Sequence, residues 1–515
     1  LYYLKYPLSF IAGVIATLAF APVNIWWLAI LSPLVLLRIW RNTTGKQAFI
    51  LGWVYGLGFF GFGIRWVYSC FYDFGFTPAI YSLLLFLLFV VILAVFSAIP
   101  GLILRHFYTT YTARALCIGF PCAWVICEWI RSWLWTGFPW LLMGYSQINT
   151  PLKNYAPIVS VYGVSFLLML SVSLCYMLFA SINQSNRSKS LILCSLLAIW
   201  FSAYALQKIN WVKFKASHTV SIVQPNLTPY VKTKLSLEDH ASVYMPITNK
   251  NLNAELIVWP EGSLPYMLPY SQPILDRLDQ LGKENNNTFI VGAANSIAGS
   301  DNFHNSLIAV GKGSGVYHKQ HLVPFWEYLP FQQYLSKIQK FMQIKRFWYE
   351  SGTATQDPLH IPGLTILPVI CFEISFPEEV RKSLVATNGS VIINISEDGW
   401  FADSWGAAQN FDVMRMRALE TGRYIVRAST SGISAIIDNK GDIIAASQKF
   451  KAQALLGEFR DAQGFTPWTY LGTRFFMPLL FLLWLGSLQL GLGDLTRIWP
   501  APRPATKAGT ETGHY

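Results

Sequence analysis

Apolar residues fill the first two hundred positions in long runs separated by short polar loops. A bilayer crossing needs about 20 apolar residues. Seven stretches approach or exceed that length: residues 7–20, 24–40, 47–71, 78–107, 114–135, 156–182 and 189–206. The first two form a tight pair around Ala21-Pro22-Val23. The first is short and ends in Leu18-Ala-Phe-Ala21, so a cleaved signal peptide is the alternative; a second apolar run following at once favours a hairpin. An eighth run, 470–490, appears only after a long polar region.

In that polar region the period changes. Short β-branched runs bounded by turn residues predict strands at Val220-Ser-Ile-Val223, Leu256-Ile-Val-Trp259, Phe289-Ile-Val-Gly-Ala293, Asn305-Ser-Leu-Ile-Ala-Val310, residues 365–370, Val391-Ile-Ile-Asn-Ile395 and Tyr424-Ile-Val-Arg427. Residues 274–281 and 407–420 have helical spacing, the second stopped by Gly422. The alternation predicts a layered α/β domain over residues 217–460, large enough for its own core. The whole chain then reads as a polytopic α-helical membrane domain of eight transmembrane helices plus this α/β domain. Helices one to seven lie in residues 1–212 and the eighth in 466–495. Residues 497–515, rich in Pro, Thr, Ala and Gly, predict a disordered cytoplasmic tail.

Composition agrees with a membrane protein: hydrophobic residues make up 53% and charged residues 13%, against about 25% charged in soluble domains. The net charge of +12 raises the question of nucleic acid. However, residues 217–460 hold 21 Lys and Arg against 22 Asp and Glu, and the remainder holds 18 against 5. The basic excess thus belongs to the apolar part, where it reports topology and predicts no nucleic-acid partner. With the N-terminus inside, Lys5, Arg38, Arg41, Lys46, Arg105, Arg114, Arg187, Lys189, Arg497, Arg503 and Lys507 all fall on the cytoplasmic side. Seven crossings then put residues 217–460 outside the cytoplasm, in the periplasm of a Gram-negative cell, with both termini inside. Trp133, Trp135 and Trp140 predict an outer-interface cluster, and Glu128 with Arg131, three residues apart, reads as a local ion pair.

Six of the seven cysteines (Cys70, Cys117, Cys122, Cys127, Cys175 and Cys194) sit in apolar runs, where a thiol behaves as a small hydrophobe. Cys371 alone lies in the polar region. It follows a predicted buried strand and precedes Pro377-Glu-Glu379, which reads as the first turn of a helix. A solitary thiol in an oxidising compartment is a candidate nucleophile, an inert buried cysteine being the alternative. Such a nucleophile needs a base, and acyl chemistry needs positive charge near the oxyanion. Glu261, in Trp259-Pro-Glu-Gly-Ser263, and Lys319, in His318-Lys-Gln-His-Leu-Val-Pro-Phe325, supply these. Taken singly, each also reads as a solvated loop carboxylate or a surface lysine. His304, His318 and His321 form no zinc-spaced set with a cysteine, so no metal is expected.

The order of Glu261, Lys319 and Cys371 in these motifs resembles the nitrilase, or carbon-nitrogen hydrolase, superfamily. Such a domain between a seventh and an eighth span is similar to the apolipoprotein N-acyltransferase family. Ala19-Phe-Ala-Pro22, Gln224-Pro-Asn226, Pro324-Phe-Trp-Glu-Tyr-Leu-Pro330, Asp398-Gly-Trp-Phe401 and Met416-Arg-Ala-Leu-Glu420 agree with it. The resemblance implies an αββα sandwich with Glu261 as general base, Lys319 as oxyanion stabiliser and Cys371 as nucleophile. It also implies that Glu327 and Glu373 orient Lys319 and tune local charge, and that the Phe372 N–H is a second oxyanion donor.

The implied activity is ping-pong N-acyl transfer, without a cofactor, by a monomer in the bacterial inner membrane. The acyl donor would be a membrane phospholipid and the acceptor the α-amine of the diacylglyceryl cysteine of an apolipoprotein. The alternative is a membrane-tethered amidase acting on a small amide. The aromatic and basic segment 325–349, with Trp326, Tyr328, Phe341 and Trp348, reads as a lid at the lipid interface, with Trp400 as a further candidate lipid contact, or as an ordinary packing helix. Departures from the family pattern are Phe372 for Tyr, Trp326 for Gly, Ser396-Glu397 for Ser-Asn, and Lys232-Thr233 where Lys-Trp is frequent.

Overall fold

The computed structural model describes residues 3–74, 78–108, 110–180, 185–232, 234–264, 267–331, 333–334, 349–401 and 403–489. The apolar runs fold as helices α1 (Lys5–Thr17), α2 (Leu28–Trp40), α3 (Gly45–Gly63), α4 (Trp66–Ser69), α5 (Ala79–Phe107), α6 (Phe120–Arg131), α7 (Ala156–Ala180) and α8 (Asn186–Leu206). Glycines let three of them touch along their backbones. A Cβ on Gly58 would lie 2.3 Å from the Phe10 carbonyl oxygen of α1, and one on Gly56 would lie 2.6 Å from the Cα of Ala94 in α5. Small residues at such crossings are how helices pack where no water drives them together.

Every predicted apolar run contains helix, yet length divides them. Among the described residues, three helices are long and apolar enough to cross a membrane, or four if α3 and the turn after it, bent by 58°, make one span. The 13 residues of α1 and of α2 reach only about 20 Å of a roughly 30 Å hydrocarbon core. The expectation of eight full spans is therefore met only in part: the run 47–71 breaks after Gly63, and the run 114–135 leaves the helix at Ser132. The expected Glu128–Arg131 pair is also replaced. Glu128 accepts from the Met143 N–H at 2.8 Å, while Arg131 donates to the carbonyls of Phe138 (2.8 Å) and Trp140 (2.6 Å). Both charges satisfy a buried loop backbone that would otherwise lack partners.

The polar region forms two six-stranded sheets. Strands β1 (Lys213–Gln224), β2 (Leu256–Val258), β3 (Thr288–Ser296), β4 (Phe303–Gly311) and β5 (Gly315–His318) belong to the first. Strands β6 (Leu359–Ile361), β7 (Leu364–Ile370), β8 (Val391–Ser396), β9 (Ile425–Ser429), β10 (Ala435–Ile437) and β11 (Ile443–Ala446) form the second, and β12 (Gln453–Gln463) returns to pair with β1. The orders are β12-β1-β2-β3-β4-β5 and β11-β10-β9-β8-β7-β6. Strand alternation sends Ile222, Val258 and Ile290 from one sheet against Ile366, Ile393 and Val426 from the other. The opposite faces bury under helix pairs: α9 (Leu237–Thr248) and α10 (Leu268–Asn285) on the first sheet, α11 (Pro377–Thr387) and α12 (Trp405–Thr421) on the second. This is the expected αββα sandwich. Its strands reach three residues further than the predicted span 217–460 at the C-terminal end, to Gln463, and begin earlier, at Lys213. Helices α13 (Pro467–Leu471) and α14 (Thr473–Gln489) follow in place of the predicted last span, and residues 497–515 lie outside the described residues.

The two parts share a core. Phe401 and, from α12, Ala407, Val413 and Met416 belong to the same apolar cluster as Trp66 and Trp140. Gln409 accepts from the Trp140 indole at 2.7 Å and donates to the Gly63 carbonyl at 3.0 Å. α7 breaks at Ser160 (φ 63°), where the Glu420 carboxylate receives the Ser160 hydroxyl at 2.6 Å and the Val161 N–H at 2.7 Å. Arg417 pairs with that carboxylate and donates to the Tyr145 hydroxyl. Of the predicted tryptophan cluster, Trp133 and Trp135 are exposed, whereas Trp140 is buried in this junction.

Candidate active site

β7 ends at Ile370, and the next residue, Cys371, has φ 52°. A non-glycine residue there costs on the order of 1–3 kcal/mol, which surrounding structure must offset. Glu373 supplies much of that restraint. Its carboxylate accepts from the N–H groups of Ile370 (2.7 Å), Gln320 (2.7 Å) and His321 (3.2 Å) and from the Tyr317 hydroxyl (3.0 Å). The cysteine turn is thereby clipped to the loop after β5, with Pro377 opening α11 just beyond. Glu373 thus fixes the backbone around Lys319.

Lys319 continues the β4–β5 ladder, its N–H donating to the Asn305 carbonyl at 2.8 Å. Its ammonium is 1% exposed, 2.9 Å from Glu327 and 3.8 Å from Glu261. Burial alone favours the neutral amine, but the two carboxylates outweigh it and hold the group charged, above its ordinary range. Glu327 is itself fixed by the Val323 N–H at 2.7 Å.

Glu261 follows β2 and accepts from the Glu397 N–H at 2.8 Å. Gly292 in β3 lets the chain pass beneath it, since a Cβ there would lie 2.8 Å from the Glu261 Cα. The amide of Asn305 donates to Glu261 at 2.7 Å and to Glu327 at 2.9 Å. Sequence reasoning missed Asn305; its one signal was a polar residue opening a predicted strand. Glu397, noted only as a departure from the family motif, is the second residue whose role sequence did not reveal.

On the second sheet, the Cys371 sulfur accepts from the Ser396 hydroxyl at the end of the neighbouring β8, at 3.6 Å. Burial pushes the thiol above its usual range, the Glu261 charge pushes it further, and Lys319 opposes both. The resting group is a thiol flanked by a carboxylate and an ammonium. A sulfur of this kind attacks only as its proton leaves, which a neighbouring base makes possible.

The strand ends after β2, β5, β7 and β8 therefore bring Glu261, Lys319, Cys371 and Glu397 to one end of the sandwich, with Glu327 and Asn305 between them. Reactive groups gather at such ends because the backbone is rigid up to the last strand residue and free beyond it. The Phe372 side chain, in the cysteine turn, packs against the apolar cluster of the membrane helices and lies edge-on to Phe376, 5.0 Å away. Trp326 meets Trp400 edge-on at 4.2 Å, and the Trp400 carbonyl accepts from the Cys70 thiol. Tyr328 is half-buried and receives the Phe325 N–H. Phe341 and Trp348, with most of the segment 325–349, lie outside the described residues.

Residues 12–174 match the apolipoprotein N-acyltransferase N-terminal domain, and residues 219–463 match the carbon-nitrogen hydrolase domain. The apolipoprotein N-acyltransferase of Coxiella burnetii is 35% identical over 471 residues, 90% of this chain and 96% of that protein. That of Vibrio parahaemolyticus is 32% identical over 91% of this chain and 94% of its own length, and that of Vibrio cholerae 33% over 92% and 94%. With both domains matched in order and the likeness running through nearly the whole length, this chain belongs to the apolipoprotein N-acyltransferase family.

Proposed function

We propose that this protein transfers a fatty acyl chain from a membrane phospholipid, through a thioester on Cys371, to the α-amine of a diacylglyceryl cysteine at the N-terminus of an apolipoprotein. The observation that carries the reading is the convergence of a strained Cys371 turn with a neighbouring carboxylate and a buried ammonium, on a face joined to apolar helices. Glu261 takes the thiol proton as the sulfur attacks the ester carbonyl. Lys319 and the Phe372 N–H stabilise the oxyanion, and Glu261 returns the proton to the departing lysophospholipid oxygen. In the second half the acceptor amine attacks the thioester and Glu261 receives its proton. The tetrahedral intermediate collapses to an amide, and the departing sulfur regains a proton from Glu261. A positioned general base contributes typically 10²–10⁴-fold, and one oxyanion donor about 10²–10³-fold.

Both substrates are anchored by acyl chains, which accounts for a hydrolase-like domain seated on apolar helices. Exposed apolar side chains on α5 and α8, among them Leu84, Leu88, Leu197 and Phe201, support a lipid-facing surface. Eight membrane-inserted segments, some short or bent, with the α/β domain in the periplasm and both termini in the cytoplasm, agree with the distribution of basic loops. Trp326 and Trp400 would flank the acyl path.

Incubation with phospholipid should add one acyl mass to the intact protein, and Cys371→Ala should abolish that adduct together with lysophospholipid release. An adduct persisting on the variant overturns the proposed nucleophile. Rapid turnover of small amides without an amine acceptor would instead favour an amidase.

A further inference from the structure

Beside Glu261 lies a second charged pair that the reaction above does not use. The Lys232 ammonium pairs with the Glu397 carboxylate, the two side chains being only 10% and 7% exposed. Glu397 is also bonded by the Thr430 hydroxyl and, at 3.1 Å, by the Gly399 N–H; burial pushes its carboxyl above the ordinary range, and these partners together with Lys232 oppose that. Both members also hold the base directly. The Glu397 N–H donates to the Glu261 carboxylate at 2.8 Å, and the Lys232 ammonium donates to the Glu261 main-chain carbonyl at 3.1 Å. Lys232 thus sits over the Pro-Glu-Gly corner; a Cβ on Gly262 would meet its ammonium at 3.8 Å.

We propose that Lys232 and Glu397 act as a positioning pair that grips Glu261 from its main chain and its side chain at once, each cancelling the other's field at the base. This rests on the acyl-transfer reading, in which Glu261 accepts the Cys371 proton. A buried lone charge a few ångströms away would shift the proton affinity of the base by a unit or more; paired, the two leave it where the other neighbours set it. Those neighbours are Lys319, Glu327 and Tyr349 on the first-sheet side and Cys371 on the other, while His240 faces Lys232 and Tyr244 faces Glu397.

The test is the pH profile of kcat/KM for the phospholipid donor, measured on the full chain in mixed micelles with a diacylglyceryl-cysteine peptide as acceptor. Its acid limb reports ionisation of the base in the free enzyme. Glu397→Gln leaves Lys232 uncompensated, so the limb should move to lower pH by about one unit. Lys232→Met leaves Glu397 uncompensated, so the limb should move up by a similar amount, with the rate lowered about tenfold. The double variant should return the limb to within a few tenths of the starting value. A merely structural pair would lower rates and leave the limb in place. Limbs that stay put, or that move the same way in both single variants, overturn the proposal. Should Lys232→Met fail to fold, the nearly isosteric Glu397→Gln decides alone by the direction of its shift. A chain that releases no lysophospholipid, or keeps its rate as Glu261→Gln, overturns the acyl-transfer reading and this pair with it. A Glu261-dependent enzyme with an immobile limb overturns the pair only.

Discussion

Asn305 joins two carboxylates through one neutral amide, and its neutrality matters. Glu261 and Glu327 both face Lys319, and a third charge between them would change the proton affinity of the base. Only an amide donates to both without adding charge. Asn305→Ala leaves each acceptor short of a bond; a hydrogen bond to a charged group is worth about 1.5–3 kcal/mol. We expect kcat/KM to fall about 10–100-fold in steady-state assays, and Asn305→Asp to fall further because like charges crowd the base. An Ala variant with unchanged kcat/KM would remove Asn305 from the site. The residue was legible in sequence only as a polar position in a strand, because its two partners lie 44 and 22 residues away.

Among the elements, α12 does the most to join chemistry and membrane. One of its faces packs on the second sheet through Phe411, Met414 and Ala418, and another enters the apolar cluster of the membrane helices. Its helical spacing and its stop at Gly422 were plain in the sequence. What the spacing could not say is that the helix is buried on nearly every side, so that Arg417 and Glu420 become a fully enclosed ion pair. Removing one partner of such a pair typically costs 3–5 kcal/mol, because the other is left charged and unpaired. Glu420→Ala also strips the acceptor from the break in α7 at Ser160. We expect thermal unfolding in detergent to show a loss of about that size. The double variant Arg417→Met/Glu420→Leu should recover part of it, since no lone charge remains. A single variant within about 1 kcal/mol of the starting protein would show that the junction does not depend on this pair.

At the scale of the whole molecule, the basic loops and the apolar helices together make a directional prediction. With Cys194→Ser as background, a cysteine replacing the exposed Lys283 on α10 should react with a membrane-impermeant maleimide on intact spheroplasts. One replacing Lys46, in the first turn of α3, should react only after permeabilisation. The reverse pattern would turn the α/β domain to the cytoplasm and end the periplasmic assignment. The helices themselves are less uniform than the hydropathy suggested. α1 and α2 are too short to cross singly and the α3–α4 pair is bent by 58°, and these helices are held by glycine contacts and by the α/β domain seated on them.

Period and composition along the chain determined much by themselves: apolar runs, seven of the strands, the lone polar-region cysteine, and the order of Glu261, Lys319 and Cys371. Those features are local, written in neighbouring residues and in the motifs around each strand end. Tertiary structure alone decided the rest. Asn305 between two carboxylates, Glu373 gripping backbone N–H groups, Glu397 at the base and Glu420 capping a distant helix break all depend on which loops meet across two sheets. Strand β12 was equally hidden, because its partner β1 lies more than two hundred residues earlier. A polar side chain's role is set by the donors and acceptors that folding brings to it, and no spacing along the chain records those partners.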